Sequence, residues 1–285
     1  MPESTELLDA AMANKVADLA ERAGEAIMEI YQQADFETRL KEDESPLTAA
    51  DLAAHNVLVD GLAELTPDIP VLSEESSAIT YEERRQWQTF WLVDPLDGTK
   101  EFIKRNGEFT VNVALISGDQ ISGDQTGGYR AVMGVVHAPA LETTYWAVDG
   151  QGAFKRSPQG EAPIRVAQDD SLPITVVVSR SHLRERDEQF IAELRERYED
   201  VHLQPTGSAL KLCLVAEGSA DVYPRFGPTM EWDIAAAQCV VEQAGGVVEV
   251  VGDGGSLRFN KESLVNPLFI AYTPAVDLPD VSHDQ

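Results

Sequence analysis

The chain has 285 residues, 43% of them hydrophobic and 25% charged, enough for one large or two modest domains with real cores. Its 49 acidic residues against 22 basic ones leave a formal charge of −27, which argues against nucleic-acid backbone and anionic membrane surface as direct electrostatic partners. The same charge sets a condition on any phosphorylated ligand: placed cations or bound metal ions must invert the local sign, unless the acidic surplus is only an adaptation to high salt.

The amino terminus has no basic segment ahead of an apolar one, and no apolar run approaches the ~18 residues of a membrane span, so the expectation is a soluble cytoplasmic protein. Within residues 7–33, Val16, Leu19, Ala23, Ile27 and Ile30 recur at intervals of three and four, with Lys15, Asp18, Glu21 and Glu25 between them. This predicts a long amphipathic helix. After an acid-rich irregular stretch, a second helix is predicted from about residue 45 to 65, with Thr48 and Asp51 as a capping box. Capping accounts for Asp51 and also leaves a carboxylate at a helix start, able to point into a cleft. Residues 71–75 read as a short strand ending in Glu74 and Glu75, and a helical turn follows at 81–87. Trp87, Phe90 and Trp91 are expected to be core aromatics. The strand through Phe90, Trp91, Leu92 and Val93 ends in Asp94, so two neighbouring strands would deliver Glu74 and Asp94 to one edge.

That second strand runs into Asp94-Pro95-Leu96-Asp97-Gly98-Thr99. Pro95 presets φ for the second position of a four-residue turn, which would bring the Cα atoms of Asp94 and Asp97 within about 7 Å. Two carboxylates that close repel by a few kcal/mol at an effective dielectric of ~20, and a divalent cation between them reverses the sign. Gly98 permits close approach of a ligand, and Thr99 opens a predicted helix over 100–105 whose first N–H groups suit a phosphate oxygen. The same string is also ordinary turn chemistry. The apolar run ahead of it favours a site at the carboxyl end of a buried strand.

Strands are predicted at 109–116 and 131–137, joined by a long glycine-rich loop at 117–130, and again at 142–147 and 152–155. Two helices followed by a strand-rich meander suggest an α+β half, 1–165. A polar stretch within 163–173 marks the junction to a second half, 166–285, of α/β character. There a strand at 174–179, helices at 187–198, 207–218 and 233–244, and strands at 220–223, 246–251 and 268–272 are expected. Asp233 stands at a helix start, where an ordinary N-cap is the plain alternative. Cys213 and Cys239 sit in apolar runs without a metal-type spacing and read as buried thiols of a reducing compartment.

Three separated segments then resemble a known family. Glu74-Glu75, the Asp94 to Thr99 motif, and Trp232-Asp233 followed by a helix ending in Gly245-Gly246 are similar in order and spacing to the signatures of the inositol monophosphatase superfamily, which is magnesium-dependent and lithium-sensitive. Residues 45–51, 70–75, 91–113, 213–218 and 223–229 resemble its bisphosphate nucleotidase branch in particular. The resemblance implies a layered αβαβα sandwich and a phosphatase that removes the 3'-phosphate of adenosine 3',5'-bisphosphate, giving AMP and phosphate, in sulfate assimilation. It implies two or three Mg2+ ions held by Glu74, Asp94, Asp97, Asp233 and the main-chain carbonyl of Leu96. Thr99, with Glu74 or Asp51, would orient and deprotonate the attacking water. Gly98, Thr99, His182, Ser208, Lys211 and Arg225 would contact the substrate. Direct attack by water fits better than an aspartyl-phosphate route, for which Asp94 and Asp97 are one residue too far apart. Inositol-type members carry a glutamate seven residues before the last signature aspartate; Phe226 stands there, which disfavours inositol phosphate. The alternatives are an inositol or other sugar-phosphate phosphatase of the same fold, and a noncatalytic protein binding divalent cations or phosphometabolites. Monomer or homodimer, and peripheral association with the cytoplasmic side of the inner membrane, stay open.

Overall fold

Helix α1 (Ala10–Tyr31) forms where the periodicity predicts it, capped by Asp9, whose carboxylate accepts the Met12 N–H at 2.7 Å. The computed structural model describes residues 8–32, 49–76, 79–118, 128–169, 173–180, 183–252 and 254–281, and the backbone alone for 38–40 and 46–48. Helix α2 (Ala49–Leu65) starts later than predicted, because 46–48 are extended: β1 (Thr38–Leu40) and β2 (Pro46–Thr48) pair antiparallel. The ladder with β1 takes up the backbone of 46–48, so the helix begins at Ala49. Asp51 lies in the first turn of α2 and is buried, while the side chain of Thr48, its proposed capping partner, lies outside the described residues.

Seven strands form the first sheet in chain order: β3 (Val71–Ser73), β4 (Thr89–Asp97), β5 (Thr110–Gly118), β6 (Tyr129–Ala138), β7 (Thr143–Val148), β8 (Gly152–Ser157) and β9 (Gly160–Ile164). Only β3 and β4 are parallel, joined through the short helix α3 (Tyr81–Arg84). The pairing of β5 and β6 reaches Gly118 and Tyr129, so both strands run into what was predicted as loop. The rest of that loop, 119–127, lies outside the described residues.

The second sheet has the order β11-β10-β12-β14-β13. It comprises β10 (Ile174–Ser179), β11 (Val201–Thr206), β12 (Val222–Arg225), β13 (Val247–Val250) and β14 (Phe269–Tyr272), with helices α5 (Glu185–Arg197), α6 (Leu210–Ala216) and α7 (Glu231–Gln243). The predicted pattern lacked β11, an edge strand whose His202, Gln204 and Pro205 hide the apolar signal.

The layers follow from which strand positions are apolar. Trp91, Val93, Val111, Val113 and Leu115 face α1 and α2. Phe90, Leu92, Ala114 and Ile116 face the other way, onto Ile234, Ala235 and Cys239 of α7 and Leu212 and Cys213 of α6. Beyond those helices lies the second sheet, whose Val176, Val178 and Ile270 pack on Phe190, Ile191 and Leu194 of α5. The order helix, sheet, helix, sheet, helix is the layered sandwich expected from the sequence. Both cysteines are buried free thiols. Among the described residues no helix is long and apolar enough to cross a membrane.

Helix α7 comes from the second half of the chain yet lies on the sheet of the first. Its approach is close because Gly134 of β6 has no side chain: a Cβ there would stand 2.2 Å from the Ala236 carbonyl oxygen. This contact sets the height at which the first turn of α7, with Asp233, meets the sheet edge.

Candidate active site

The Asp94 to Thr99 motif is a bulged strand, which corrects the turn expected from Pro95. Asp94 pairs with Asn112 and Asp97 with Thr110, so three steps on β4 match two on β5. Strand side chains alternate between faces, and an odd spacing would put the two aspartates on opposite sides of the sheet. The one extra residue restores Asp97 to the face of Asp94. Pro95 fits the bulge because it has no N–H to lose from the ladder. The Leu96 N–H closes on the Asp94 carboxylate at 3.1 Å. Gly98 then takes φ 93°, a left-handed value, and its missing Cβ leaves room against the Glu108 carbonyl. Helix α4 (Thr99–Ile103), shorter than predicted, begins with Thr99, whose hydroxyl faces the Leu96 carbonyl at 3.5 Å.

Three more acids are brought to this edge. Glu74 follows β3, hydrogen-bonded through its N–H to the Val93 carbonyl at 3.0 Å, and Asp51 comes from α2. Asp233 is the third residue of α7, not its N-cap; its carboxylate accepts the Met230 N–H at 2.9 Å. Asp97 reaches across to the second half, where its Oδ2 accepts the Ser208 hydroxyl and the Ala209 N–H, both at 2.7 Å. Ser208 sits at φ 56° and also meets the Thr110 hydroxyl at 2.6 Å.

Burial pushes the Asp94 carboxyl well above the ordinary carboxylate range, and Glu74, Asp97, Asp233 and Asp51 push it further in that order. Burial raises Asp233 too, followed by the charge of Asp97, while the Met230 N–H opposes. Acids held this way are short of positive charge and take up protons or a cation. The donor set is all oxygen, as a hard divalent cation prefers, and on that chemistry it fits the ion the family implies. Among the described residues no three His, Cys, Asp or Glu side chains are arranged to hold an ion as they stand. Asp97 and Asp233 each give their Oδ2 to protein donors.

Beside the acids opens a cleft of about 210 Å³ between the two halves. Lys100, Arg180, Lys211 and Arg225 line it against Asp97, Glu101 and Asp233, four cations to three acids, so the local balance is inverted relative to the net −27. Lys211 is buried, its ammonium donating to the Ser208 carbonyl at 2.7 Å, and burial lowers its pKa to about 8 against the pull of Asp97. Arg225 donates to the Pro228 carbonyl at 2.9 Å, and its Nε is buried without a protein acceptor. The structure thus brings together Asp51, Glu74, Asp94, Leu96, Asp97, Gly98, Thr99, Ser208, Lys211, Arg225 and Asp233; His182 lies outside the described residues.

Sequence reasoning missed Glu108 and Arg180. Arg180 pairs with the Glu108 carboxylate through both Nε and Nη2, and Glu108 also accepts the Gly207 N–H at 2.9 Å, tying the two halves at the cleft mouth. Arg180 directly follows β10, so the strand-end reasoning that singled out Glu74 would have found it. Phe226, where a glutamate would grip an inositol hydroxyl, is buried edge-on against Phe190 with the Arg186 guanidinium over its ring.

A layered sandwich with acids at a strand edge and cations facing them across a cleft defines a phosphatase of the α/β sandwich class. The model of the inositol monophosphatase family matches residues 9–273. The chain is 47% identical over 260 residues to the 3'(2'),5'-bisphosphate nucleotidase CysQ of Salmonella typhimurium, covering 90% of this chain and 98% of that one. It is 34% identical over 261 residues to the protein of the same name from Haemophilus influenzae, with 91% of each chain covered. The solved structure of CysQ from Bacteroides thetaiotaomicron superposes with a TM-score of 0.80 at 43% identity, covering 95% of this chain and all of that one. The SuhB protein of Bartonella henselae superposes with a TM-score of 0.73 at 27% identity, covering 93% and 95%. The chain belongs to the inositol monophosphatase family.

Proposed function

We infer that the protein is a phosphatase that hydrolyses the 3'-phosphate of adenosine 3',5'-bisphosphate to give AMP and phosphate, with magnesium as its metal. The observation that carries this is the acid cluster around Asp94 beside a cleft whose lining is basic in a protein of charge −27. The names of the curated relatives, bisphosphate nucleotidases at up to 47% identity, support the substrate. The burial of Phe226 supports it further, since a packed aromatic offers no group to an inositol hydroxyl.

In this reading Glu74, Asp94, Asp97, Asp233 and the Leu96 carbonyl hold the Mg2+ ions. The bound ions would neutralise the transferring phosphate and lower the pKa of water. Glu74 or Asp51, with the Thr99 hydroxyl, orients the attacking water and takes its proton. Thr99 is suited to this because its hydroxyl faces the Leu96 carbonyl and the residue is only partly buried. Lys211 and Arg225 receive the remaining phosphate of the nucleotide from the second half. Residues 1–165 and 166–285 act as two lobes, each built on one sheet, with Asp97 and Asp233 meeting between them. Two buried reduced thiols suit a cytoplasmic setting.

Product analysis tests the reading. Purified protein with Mg2+ and adenosine 3',5'-bisphosphate is expected to give AMP carrying a 5'-phosphate and one equivalent of inorganic phosphate, and to stop on addition of EDTA. Formation of adenosine 3'-phosphate, or metal uptake without turnover, contradicts it.

A further inference from the structure

Asn112 of β5 is the one polar side chain in the run from Val111 to Ile116, and it is 1% exposed. Its carboxamide can donate two hydrogen bonds and accept two, yet neither Nδ2 nor Oδ1 has a protein partner. A buried carboxamide in that state disfavours folding, and an apolar residue of similar shape would be neutral or stabilising there. The strand would accept one, since its neighbours are valine, alanine, leucine and isoleucine. Such a violation of packing logic in a well-formed core points to a function that needs the group.

Position shows which function. Asn112 is the cross-strand partner of Asp94, and residues directly opposite in an antiparallel pair share a face with Cβ atoms about 4.5–5.5 Å apart. That face is the one covered by α7, whose first turn carries Asp233. The Asp94 carboxylate takes the Leu96 N–H on Oδ1, and no bond to Asn112 is formed as the side chains stand. Apart from the Leu96 N–H, the groups acting on Asp94 are acids, and a second neutral donor from the opposite strand would suit this carboxylate.

We propose that Asn112 is a positioning residue for the divalent-cation site, its carboxamide N–H serving the Asp94 carboxylate when that acid is committed to an ion. This rests on the reading that the acid cluster holds such an ion. Outer hydrogen-bond partners of metal-binding side chains orient them, and losing one typically weakens metal affinity 10- to 100-fold. Asn112 therefore disfavours the folded protein without metal and favours the loaded one.

The test uses the full-length protein and two variants, Asn112→Leu and Asn112→Thr, the latter keeping a donor on a β-branched side chain. Unfolding midpoints in EDTA, magnesium affinity by calorimetry, and the magnesium dependence of turnover are measured together. Asn112→Leu is expected to match or exceed the wild-type midpoint in EDTA while binding Mg2+ at least 10-fold more weakly, with kcat at saturating Mg2+ within a few-fold of wild type. Asn112→Thr is expected to keep Mg2+ affinity within a few-fold; if the leucine variant does not fold, Asn112→Val, which has the shape of threonine without its donor, takes its place and is expected to bind Mg2+ at least 10-fold more weakly. Unchanged magnesium affinity in Asn112→Leu, or a lowered EDTA midpoint with unchanged affinity, overturns the proposal while leaving the metal reading intact. Absence of magnesium binding by the wild type overturns both.

Discussion

Lys211 gives the most quantitative handle on how the cleft is prepared for an anion. Burial lowers its pKa from 10.5 to about 8, with Asp97 pulling the other way and Arg225 adding to the fall. Because the folded value lies below the unfolded one, the folded protein binds fewer protons between those pH values. The destabilisation is full below pH 8 and fades as pH rises to 10.5. At 1.36 kcal/mol per pH unit it amounts to about 3 kcal/mol at pH 7. Lys211→Met removes the charge but also the hydrogen bond to the Ser208 carbonyl, worth about 1 kcal/mol, which leaves a net gain of about 2 kcal/mol. For a chain of 285 residues that raises the unfolding midpoint by about 3 °C, from an unfolding entropy of about 2.1 cal/mol/K per residue. A phosphate that meets the ammonium offsets the same penalty, so the variant should raise KM by roughly 10- to 100-fold, as expected for a lost charge-assisted bond of 1.5–3 kcal/mol. The assay is thermal unfolding in EDTA beside steady-state phosphate release. A variant that is less stable than wild type with unchanged KM refutes the reasoning.

Two further predictions concern what holds the site in place. Gly134→Ala puts a methyl group 2.2 Å from the Ala236 carbonyl, so α7 must lift and carry Asp233 with it. We expect a loss of more than about 1 kcal/mol in stability, the usual overpacking range, with weakened magnesium binding in calorimetry. Wild-type values for both would show that the helix is not seated on this glycine. His137, buried beside Thr144 at 2.9 Å, has its pKa lowered to about 4 by burial, with Glu21 opposing. Its folded value is below 6.5, so stability falls as pH drops through that window, by about 2 kcal/mol between pH 7 and 5 from this group alone. His137→Gln should flatten the pH dependence of urea unfolding by that amount, and an unaltered slope would remove the histidine from the account.

The acids of the site were legible in the sequence because strand ends and helix starts announce themselves locally. Glu74 and Asp94 were placed by two apolar runs, and Asp51 and Asp233 by the helices they open. The geometry of the central motif was not legible. Pro95 suits a turn and a bulge equally, and only the register against Thr110 and Asn112 shows that one inserted residue puts both aspartates on one face. The Glu108–Arg180 pair joins positions 72 residues apart, and although the end of β10 marks Arg180, nothing local marks its partner. Asn112 was hidden for a different reason: within a run of branched apolar residues it reads as a tolerated exception, and its meaning lies in the lack of any partner.

The central claim is that this cleft selects a nucleotide bisphosphate by cations opposite the acids, with Phe226 where an inositol contact would be. The most direct test is kcat/KM for magnesium-dependent phosphate release from adenosine 3',5'-bisphosphate, inositol 1-phosphate and fructose 1,6-bisphosphate under one set of conditions. The account predicts that the nucleotide is preferred over both others by at least an order of magnitude. Equal or faster cleavage of inositol 1-phosphate or the sugar bisphosphate would contradict it.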